Sequence, residues 1–266
     1  MREVVLTVRP DDLEEVLDRL LPLLPQGVHE TPGPDGALAL TAFGDGPPLA
    51  ELEAAAGGAL LGAAEGQAPD DPGERRLRMI ADRPAIAGVS VRPSAGAAPE
   101  TGVLDVVIDS PDGAFGAGTH PTTAMCLELL MGLEPGGPFA DLGCGTGVLA
   151  ITAALRGWRP VLAVDHEPLG VQATEANALR NRVELGVVHA DLLEVDPPPV
   201  GTIAANVPPA VHAHIAATLP GEVRALILSG VAEEALDEVA GAYRGLRVVN
   251  ALAGRGWAAA LLVRDA

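Results

Sequence analysis

A glycine-rich segment in the second half of the chain has the residue types and spacing of a ligand-binding loop. It reads Asp141-Leu-Gly-Cys-Gly-Thr-Gly147 and lies where a strand-like stretch gives way to a helix-like one. Glycines at such a turn let the backbone bend tightly and let a ligand approach the amides at the start of the helix. The glycine spacing is G-x-G-x-G, whereas dinucleotide-binding loops read G-x-G-x-x-G. With Asp141 two residues before Gly143, this pattern favours S-adenosylmethionine over NAD.

Polar residues that could bind the rest of such a cofactor follow the next predicted strands. Asp165 ends the next strand, where a carboxylate can accept both ribose hydroxyls. Asp191 follows the strand after it and could meet the adenine amino group, although aspartates at loop starts are also common on protein surfaces. Asn206 and Val207 follow a fourth strand. All these residues are therefore expected at the carboxyl ends of parallel strands, where open α/β sheets bind ligands.

Strand and helix patterns alternate regularly from residue 111 onward. This alternation is typical of a parallel sheet with helices on both faces. The last two strands are joined by Gly254-Arg-Gly256 without a helix, so we expect them to pair antiparallel. We predict a doubly wound, Rossmann-like α/β sheet of seven strands with an antiparallel C-terminal hairpin. The strand candidates are Phe139–Leu142, Pro160–Val164, Val183–His189, Thr202–Ala205, Val223–Leu228, Leu246–Ala251 and Trp257–Val263.

Two further sections precede that domain. Residues 1–66 have strand and helix signals in the order β-α-β-β-α, which suggests a small α+β domain of the ferredoxin-like kind. Residues 67–110 form a connector rich in Pro and Gly, although 103–108 should be a strand. The third section, 111–266, is the expected cofactor-binding domain. The N-terminal elements are a strand Val4–Val8, a helix from Pro10 to Leu24, a hairpin arm Ala37–Phe43 and a helix from Pro47 to Leu61.

The composition excludes several classes of protein. Of the 266 residues, 36 are acidic and 17 are basic, all of the latter Arg, for a net charge of −19. This charge disfavours broad nucleic-acid binding and offers no polybasic membrane anchor. No apolar run approaches the ~20 residues that span a bilayer, and the first residues lack a signal-peptide pattern. Because Cys126 and Cys144 provide neither a disulfide framework nor a zinc pair, we expect a cytoplasmic protein without metal.

The segment before the glycine-rich loop has a longer motif. Residues 111–123 read Pro-Asp-Gly-Ala-Phe-Gly-Ala-Gly-Thr-His-Pro-Thr-Thr. Together with Asp141–Gly147 and Asp165, this segment resembles the ribosomal protein L11 methyltransferase family of class I, seven-stranded S-adenosylmethionine-dependent enzymes. In that family the loop closes over the methionine end of the cofactor. The cofactor contacts that the motifs and the resemblance imply are Phe115, Thr123, Asp141, Gly143, Gly145, Asp165, Asp191 and Asn206.

The resemblance also implies an activity. Members of that family have a small N-terminal domain that docks a ribosomal protein, and they methylate lysine side chains and N-terminal amines. We therefore expect a protein methyltransferase acting on a basic protein, a large-subunit ribosomal protein, with 1–66 as the acidic recognition domain. The side-chain carbonyl of Asn206 and the backbone carbonyl of Val207 would accept the amine hydrogens and aim the lone pair. We expect a monomer or weak dimer without stable nucleic acid.

Three departures from the family pattern leave the substrate open. Ala117 stands where the family usually has Thr, the connector lacks the family's tryptophans, and Asn206 continues as Val-Pro-Pro. The Asn206-Val-Pro-Pro sequence is similar to a motif of methyltransferases that act on planar or amide nitrogens. A small-molecule or nucleic-acid-base N-methyltransferase is therefore one alternative. A non-catalytic relative that keeps the cofactor site is another. His212 and His214 are too close in sequence to bind a metal from one helix, and we expect them on the surface or lining a cleft.

Overall fold

The chain folds into two compact units, Met1–Arg83 and Pro84–Ala266. The boundary between them falls inside the stretch that the sequence indicates as a connector. No helix in the described ranges combines the length and the apolar character that a membrane span requires. The structure is a computed structural model that describes residues 2–24, 28–33, 36–67, 85–94, 101–109 and 120–265.

The N-terminal unit is a four-stranded antiparallel sheet with two helices. Its elements are β1 (Arg2–Val8), α1 (Leu13–Leu20), β2 (His29–Pro32), β3 (Leu38–Phe43), α2 (Leu49–Ala56) and β4 (Leu60–Gln67). The strands pair in the order β2-β3-β1-β4. Because strand side chains alternate between faces, β1 buries Val4, Leu6 and Val8, which form one apolar cluster with Val16 and Leu20 of α1.

The second helix of this unit ends earlier than predicted. α2 stops at Ala56, Gly57 follows with a left-handed φ of 64°, and a single 3-10 turn leads into β4. The helix predicted over Pro47–Leu61 therefore overlaps the start of a strand, and this part of the prediction is wrong. Leu60 and the small residues after it also suit a helix. However, the backbone of β4 pairs with β1, and such tertiary pairing overrides local preference.

The C-terminal unit is built on a mixed sheet of seven strands. They are β7 (Phe139–Leu142), β8 (Val161–Asp165), β9 (Gly186–His189), β10 (Thr202–Asn206), β11 (Ala225–Ala232), β12 (Leu246–Gly254) and β13 (Trp257–Arg264). β7 to β11 run parallel, β13 is antiparallel to β11, and β12 and β13 form the C-terminal hairpin. The order is β12-β13-β11-β10-β7-β8-β9, so the chain changes direction across the sheet between β7 and β10. Each predicted strand overlaps one of these seven.

Helices cover both faces of this sheet. They are α3 (Pro121–Met131), α4 (Val148–Arg156), α5 (Pro168–Arg180), α6 (Pro209–Ala217) and α7 (Leu236–Gly241). Successive residues of β7, Phe139 and Ala140, belong to different apolar clusters, as expected for a strand buried on both faces. α3, which packs against β11 and β13, was not predicted from the sequence.

A small parallel pair of strands belongs to the same unit. β5 (Val89–Arg92) pairs with β6 (Leu104–Val107). The Arg92 guanidinium donates to both carboxylate oxygens of Asp105 at 2.7 Å, a bidentate geometry. The strand predicted over 103–108 is present as β6, so part of the predicted connector is folded with the C-terminal unit.

His212 lies in the core, and the expectation of a surface or cleft position is wrong for it. The ring is fully buried on α6, with Nδ1 2.6 Å from the Tyr243 hydroxyl and Nε2 2.8 Å from the Ser229 carbonyl oxygen. Because a carbonyl only accepts, Nε2 carries the proton and Nδ1 accepts from Tyr243. Burial lowers the pKa of His212 to about 4. His214 on the same helix is partly buried, 3.9 Å from Asp196.

The buried His212 makes a contribution to folding stability that is lost in acid. Its pKa of about 4 in the folded chain lies below the ordinary 6.5, so between these pH values the unfolded chain binds the additional proton. The contribution of His212 to the free energy of unfolding should therefore fall as the pH decreases through this window, by about 2 kcal/mol between about pH 7 and pH 5. Asp141, whose buried carboxyl has a pKa raised to about 7, acts in the opposite direction over the same window, so the contribution of His212 is obtained from the difference between wild type and His212→Gln. Denaturant unfolding of both proteins at both pH values measures this difference, which should change with pH in the direction that favours the variant at pH 5. A difference that is the same at both pH values would contradict the role assigned to His212.

Candidate active site

The predicted glycine loop lies between the end of β7 and the start of α4. Gly143, Gly145 and Gly147 have left-handed φ values of 76°, 52° and 81°, which residues with a Cβ adopt only at a cost. Space is also restricted, because a Cβ on Gly143 would overlap Val207 Cγ1 and one on Gly147 would lie 2.9 Å from Thr174. Conformation and packing together therefore require glycine in this loop.

Neighbouring elements hold the glycine loop in one shape. The Val164 carbonyl oxygen in β8 accepts a hydrogen bond from the Gly143 amide at 2.8 Å. The Gly145 amide donates to Asp165 Oδ2 at 2.7 Å, and Thr174 Oγ1 on α5 donates to the Gly145 carbonyl oxygen at 2.9 Å. The loop is thus tied on one side to the adjacent strand and on the other to a covering helix.

Asp165 ends β8 with only 6% of its surface exposed. Its Oδ2 accepts from the Gly145 amide, and its Oδ1 accepts from the Glu167 amide at 2.9 Å. Each carboxylate oxygen has about two acceptor positions, so each keeps one that a ligand hydroxyl could use. The contact between Asp165 and ribose hydroxyls stays a prediction. The position of Asp165 beside the glycine loop is suited to such a contact.

Asp141 is a buried carboxyl group at the base of the same loop. Its Oδ2 accepts from the Ala150 amide at 2.9 Å, whereas Oδ1 has no hydrogen-bond partner among the described residues. Burial is the main cause that raises the pKa of Asp141, to about 7, and the negative charge of Asp165 also raises it. A ligand group that donated to Oδ1 would satisfy a polar atom that is costly to leave unpaired.

Asn206, at the end of β10, is oriented by a neighbouring hydroxyl. Its Nδ2 donates to Thr122 Oγ1 at 3.1 Å, while its Oδ1 is buried without a partner among the residues that the structure describes. Thr122 Oγ1 also lies 2.7 Å from His120 Nδ1, so this hydroxyl can donate to the imidazole while it accepts from the amide. Burial lowers the pKa of His120, which favours the neutral ring that such a bond needs.

Val207 lies between two glycines. Its side chain packs against Gly143 of the glycine loop, and its backbone lies against Gly230 in β11. Gly230 has a φ of 85° at a bulge, where the pairing register of β11 with β13 shifts between Ser229 and Val231. A Cβ on Gly230 would lie 2.5–2.9 Å from the Val207 backbone. The Val207 amide donates to the Ser229 carbonyl oxygen at 3.1 Å, so this peptide is fixed on both sides.

The other expected site residues have different surroundings. Thr123 is 1% exposed in the first turn of α3, and its hydroxyl has no partner within the described part of the chain. Asp191 is exposed after β9, and its Oδ1 accepts a hydrogen bond from the Leu193 amide at 2.9 Å. This local bond stabilises the turn without a ligand. Phe115 and Ala117 lie outside the described residues. The cofactor contacts expected of these residues stay predictions.

Four residues that shape the site were not singled out from the sequence: Thr122, Thr174, Asn177 and Gly230. Gly230 had a usable signal, since an isolated glycine in a strand pattern indicates a bulge or a close approach. Thr174 and Asn177 share a helix face, but a polar face is usually solvated. Thr122 had no signal of its own, because its role depends on a strand far along the chain.

The comparisons with known proteins point to one family. The family model described as Ribosomal protein L11 methyltransferase (PrmA) matches residues 84–265. This chain belongs to that family. The resemblance predicted from the sequence is confirmed, and the matched region includes the glycine loop, Asp165 and Asn206.

Curated relatives of this family member are named ribosomal protein L11 methyltransferases. The protein from Azotobacter vinelandii is 40% identical over 162 residues, covering 59% of this chain and 55% of the relative. The protein from Marinomonas sp. is 37% identical over 164 residues, covering 58% of this chain and 53% of the relative. The chain thus spans about half the length of the curated relatives it matches.

A solved structure has a similar fold. The ribosomal protein L11 methylase from Lactobacillus delbrueckii subsp. bulgaricus matches with a TM-score of 0.58 at 21% identity, covering 67% of this chain and 96% of that chain. At this identity the likeness concerns the fold alone. It confirms the predicted Rossmann-like class at the level of an α/β methyltransferase fold.

Replacing Gly230 by Ala should destabilise the C-terminal unit, because the new methyl group would overlap the Val207 peptide. Gly256 is a matched control, since its φ of 73° is also left-handed but a Cβ there meets no atom of the described residues within 4 Å. We expect Gly256→Ala to cost about 1–2 kcal/mol of strain, and Gly230→Ala to cost about 1–3 kcal/mol more. Denaturant unfolding of both variants measures the difference. Equal losses would contradict the close packing at Val207.

Proposed function

We propose that this chain is an S-adenosylmethionine-dependent methyltransferase that acts on lysine or N-terminal amines of a basic, large-subunit ribosomal protein. Two observations carry the proposal together: the glycine loop is hydrogen-bonded to Asp165, and Asn206 Oδ1 is a buried acceptor that has no partner among the described residues. The strands that end in Asp165 and Asn206 both flank β7. The names of the matched relatives, ribosomal protein L11 methyltransferases, also support it.

The residues of the site are suited to this cofactor. Asp165 has lone pairs for the ribose hydroxyls, and Asp191 has lone pairs for the adenine amino group. Asp141 Oδ1 and Thr123 Oγ1 are buried polar atoms that no described residue satisfies, so each could bond a polar group of the methionine part. We assign Phe115 to the same end by its place in the family motif. When bound, the cofactor supplies a methyl group on a positively charged sulfonium, whose charge nearby carboxylates favour.

The acceptor amine must lose a proton before it can attack. A lysine amine has an ordinary pKa of about 10.4, so its neutral form at pH 7 costs about 4.6 kcal/mol. Burial in a dry site lowers this pKa, because desolvation penalises the charged form, and the released proton passes to water. Asn206 Oδ1 and the Val207 carbonyl oxygen accept the two remaining hydrogens and aim the lone pair. The protein therefore has to desolvate and orient the amine.

Thr122 and His120 act on Asn206 rather than on the substrate. An asparagine amide can turn over and present either its oxygen or its NH₂ group. Because Thr122 Oγ1 accepts from Asn206 Nδ2 and donates to His120 Nδ1, the amide oxygen stays available to a ligand. His120 packs edge-on against Trp257 with ring centroids 4.9 Å apart, which restrains the imidazole. This network therefore orients Asn206 Oδ1 to accept a hydrogen bond from the amine before the amine binds.

We assign the N-terminal unit to substrate recognition. Its β-α-β-β-α-β chain order and its strand order β2-β3-β1-β4 are typical of ferredoxin-like domains. The segment 1–66 is rich in Asp and Glu and has few Arg, so it complements a basic partner in charge. We assign 111–266 to the catalytic domain and 67–110 to the connector, of which β5 and β6 are folded with the C-terminal unit. We also propose a cytoplasmic monomer or weak dimer without stable nucleic acid.

Transfer of labelled methyl groups tests the proposed function. Ribosomal proteins from a strain lacking this chain, incubated with it and tritiated S-adenosylmethionine, should yield one small basic protein labelled on amine nitrogens. Mass spectrometry locates the labelled residue. Label in nucleic acid or metabolites would instead support the planar-nitrogen alternative, and cofactor binding without any transfer would identify a non-catalytic relative.

Asn206→Ala should lower kcat by about 100-fold or more, because the amine loses one of the two groups that orient its lone pair. Affinity for S-adenosylhomocysteine should change less, since Asp165 and the glycine loop remain. Asn250→Ala is a control on an exposed position of β12 and should leave kcat unchanged. Methyl-transfer assays and titration calorimetry measure the two effects. Full turnover with normal cofactor affinity in Asn206→Ala would exclude Asn206 from the mechanism.

A further inference from the structure

One side of α5 has a row of polar residues that bond to the backbone of other segments. Thr174, Asn177 and Asn181, the last at the C-cap, are three and four residues apart and so lie on one side of the helix. Thr174 and Asn177 are fully buried. Burying a polar side chain is costly unless it is hydrogen-bonded. The hydrogen-bond partners of these three side chains therefore identify the segments that the helix restrains.

Asn177 uses its whole side-chain amide to join two segments. Its Nδ2 donates at 3.0 Å both to the Thr146 carbonyl oxygen of the glycine loop and to the Asp109 carbonyl oxygen. Its Oδ1 accepts from the Asp109 amide, also at 3.0 Å. The side chain thus pairs with Asp109 as a neighbouring strand would, and the same group holds the Thr146–Gly147 peptide at the start of α4.

Asn181 makes the same kind of pair one helical turn further on. Its Oδ1 accepts from the Val107 amide at 2.8 Å, and its Nδ2 donates to the Val107 carbonyl oxygen at 2.7 Å. Its Nδ2 also donates to the Asn177 carbonyl oxygen at 2.8 Å. Asn181 therefore anchors β6 to α5 as Asn177 anchors Asp109, but these bonds do not reach the glycine loop.

Asp109 is held by its side chain as well. Its carboxylate accepts from Arg180 Nε at 2.8 Å, and from the amide and hydroxyl of Ser94 at 2.9 and 2.8 Å. Its backbone and side chain are therefore fixed by α5 and by the segment after β5. Because Asp109 is restrained in this way, Asn177 links the Thr146 carbonyl of the glycine loop to a fixed position.

We propose that Asn177 is a positioning residue of the cofactor site, which fixes the Thr146–Gly147 peptide against Asp109 and thereby sets cofactor affinity. The inference rests on the proposed function, because it concerns the same cofactor. The loop needs this restraint because its glycines are conformationally free. Thr174 restrains the carbonyl of Gly145, and Asn177 restrains the next carbonyl along the chain.

Comparison of Asn177→Ala with Asn181→Ala tests the proposal. Each variant removes an amide that pairs with the backbone of 107–109, so both should lower the melting temperature, but only Asn177→Ala releases the glycine loop. By titration calorimetry, the dissociation constant of S-adenosylhomocysteine should rise about tenfold or more in Asn177→Ala and stay within about twofold of wild type in Asn181→Ala. Equal affinities in the two variants would overturn the proposal.

A second measurement does not depend on a variant that folds. In the wild-type chain, hydrogen exchange of the Asp109 amide, which donates to Asn177, should slow by about threefold or more when S-adenosylhomocysteine is bound. Exchange of the Val107 amide, which donates to Asn181, should slow less. Unchanged exchange at Asp109 would overturn the proposal even where Asn177→Ala fails to fold.

The wild-type titration separates failure of this inference from failure of the proposed function. A wild-type chain that does not bind S-adenosylhomocysteine would overturn the proposed use of the cofactor and the positioning role with it. A wild-type chain that binds, with Asn177→Ala binding as tightly as Asn181→Ala, would overturn the positioning role alone.

Discussion

The hydrogen bond from the Gly145 amide to the Asp165 carboxylate joins the two halves of the candidate cofactor site. Its donor belongs to the loop after β7, and its acceptor ends the neighbouring strand, 20 residues along the chain. A loop with three left-handed glycines has much conformational freedom to lose, so its shape depends on fixed partners outside it. Asp165 supplies one of them, the Val164 carbonyl oxygen of β8 supplies another, and Thr174 and Asn177 on α5 supply two more. The geometry of the loop is therefore a property of the sheet and its covering helix.

The sequence pattern within short segments predicted those parts of the structure that depend on interactions between residues close in sequence. The seven strands, the glycine loop and the placement of Asp165 and Asn206 at one sheet edge follow from strand periodicity and from the parallel connection of strands. Thr122 could not be predicted as a partner of Asn206, because 84 residues separate them. His212 was misplaced for the same reason, since its burial depends on Tyr243, 31 residues further on. β4 was missed because short alanine-rich runs suit either a helix or a strand until a partner strand is known.

Val207 links the proposed cofactor side of the site to the proposed acceptor side. Its side chain packs against Gly143 of the glycine loop, while its backbone, which includes the proposed amine acceptor, lies against Gly230. A shift of either glycine would therefore move both the loop and the acceptor carbonyl. Variation in acceptor chemistry on this scaffold has to come from residues around Asn206, since the Val207 peptide has little room to change.

This packing also bears on the departure of Asn206-Val-Pro-Pro from the family pattern. Pro208 is the N-cap of α6, and Pro209 is its first residue, the helical position where proline is most favoured because its missing amide is not needed there. Val207 keeps the aliphatic contact with the glycine loop. The two prolines thus have a structural explanation as a helix start. They are therefore weaker support for a planar-nitrogen substrate than the sequence alone suggested, and the orientation of Asn206 becomes the main feature on which the proposed choice of acceptor rests.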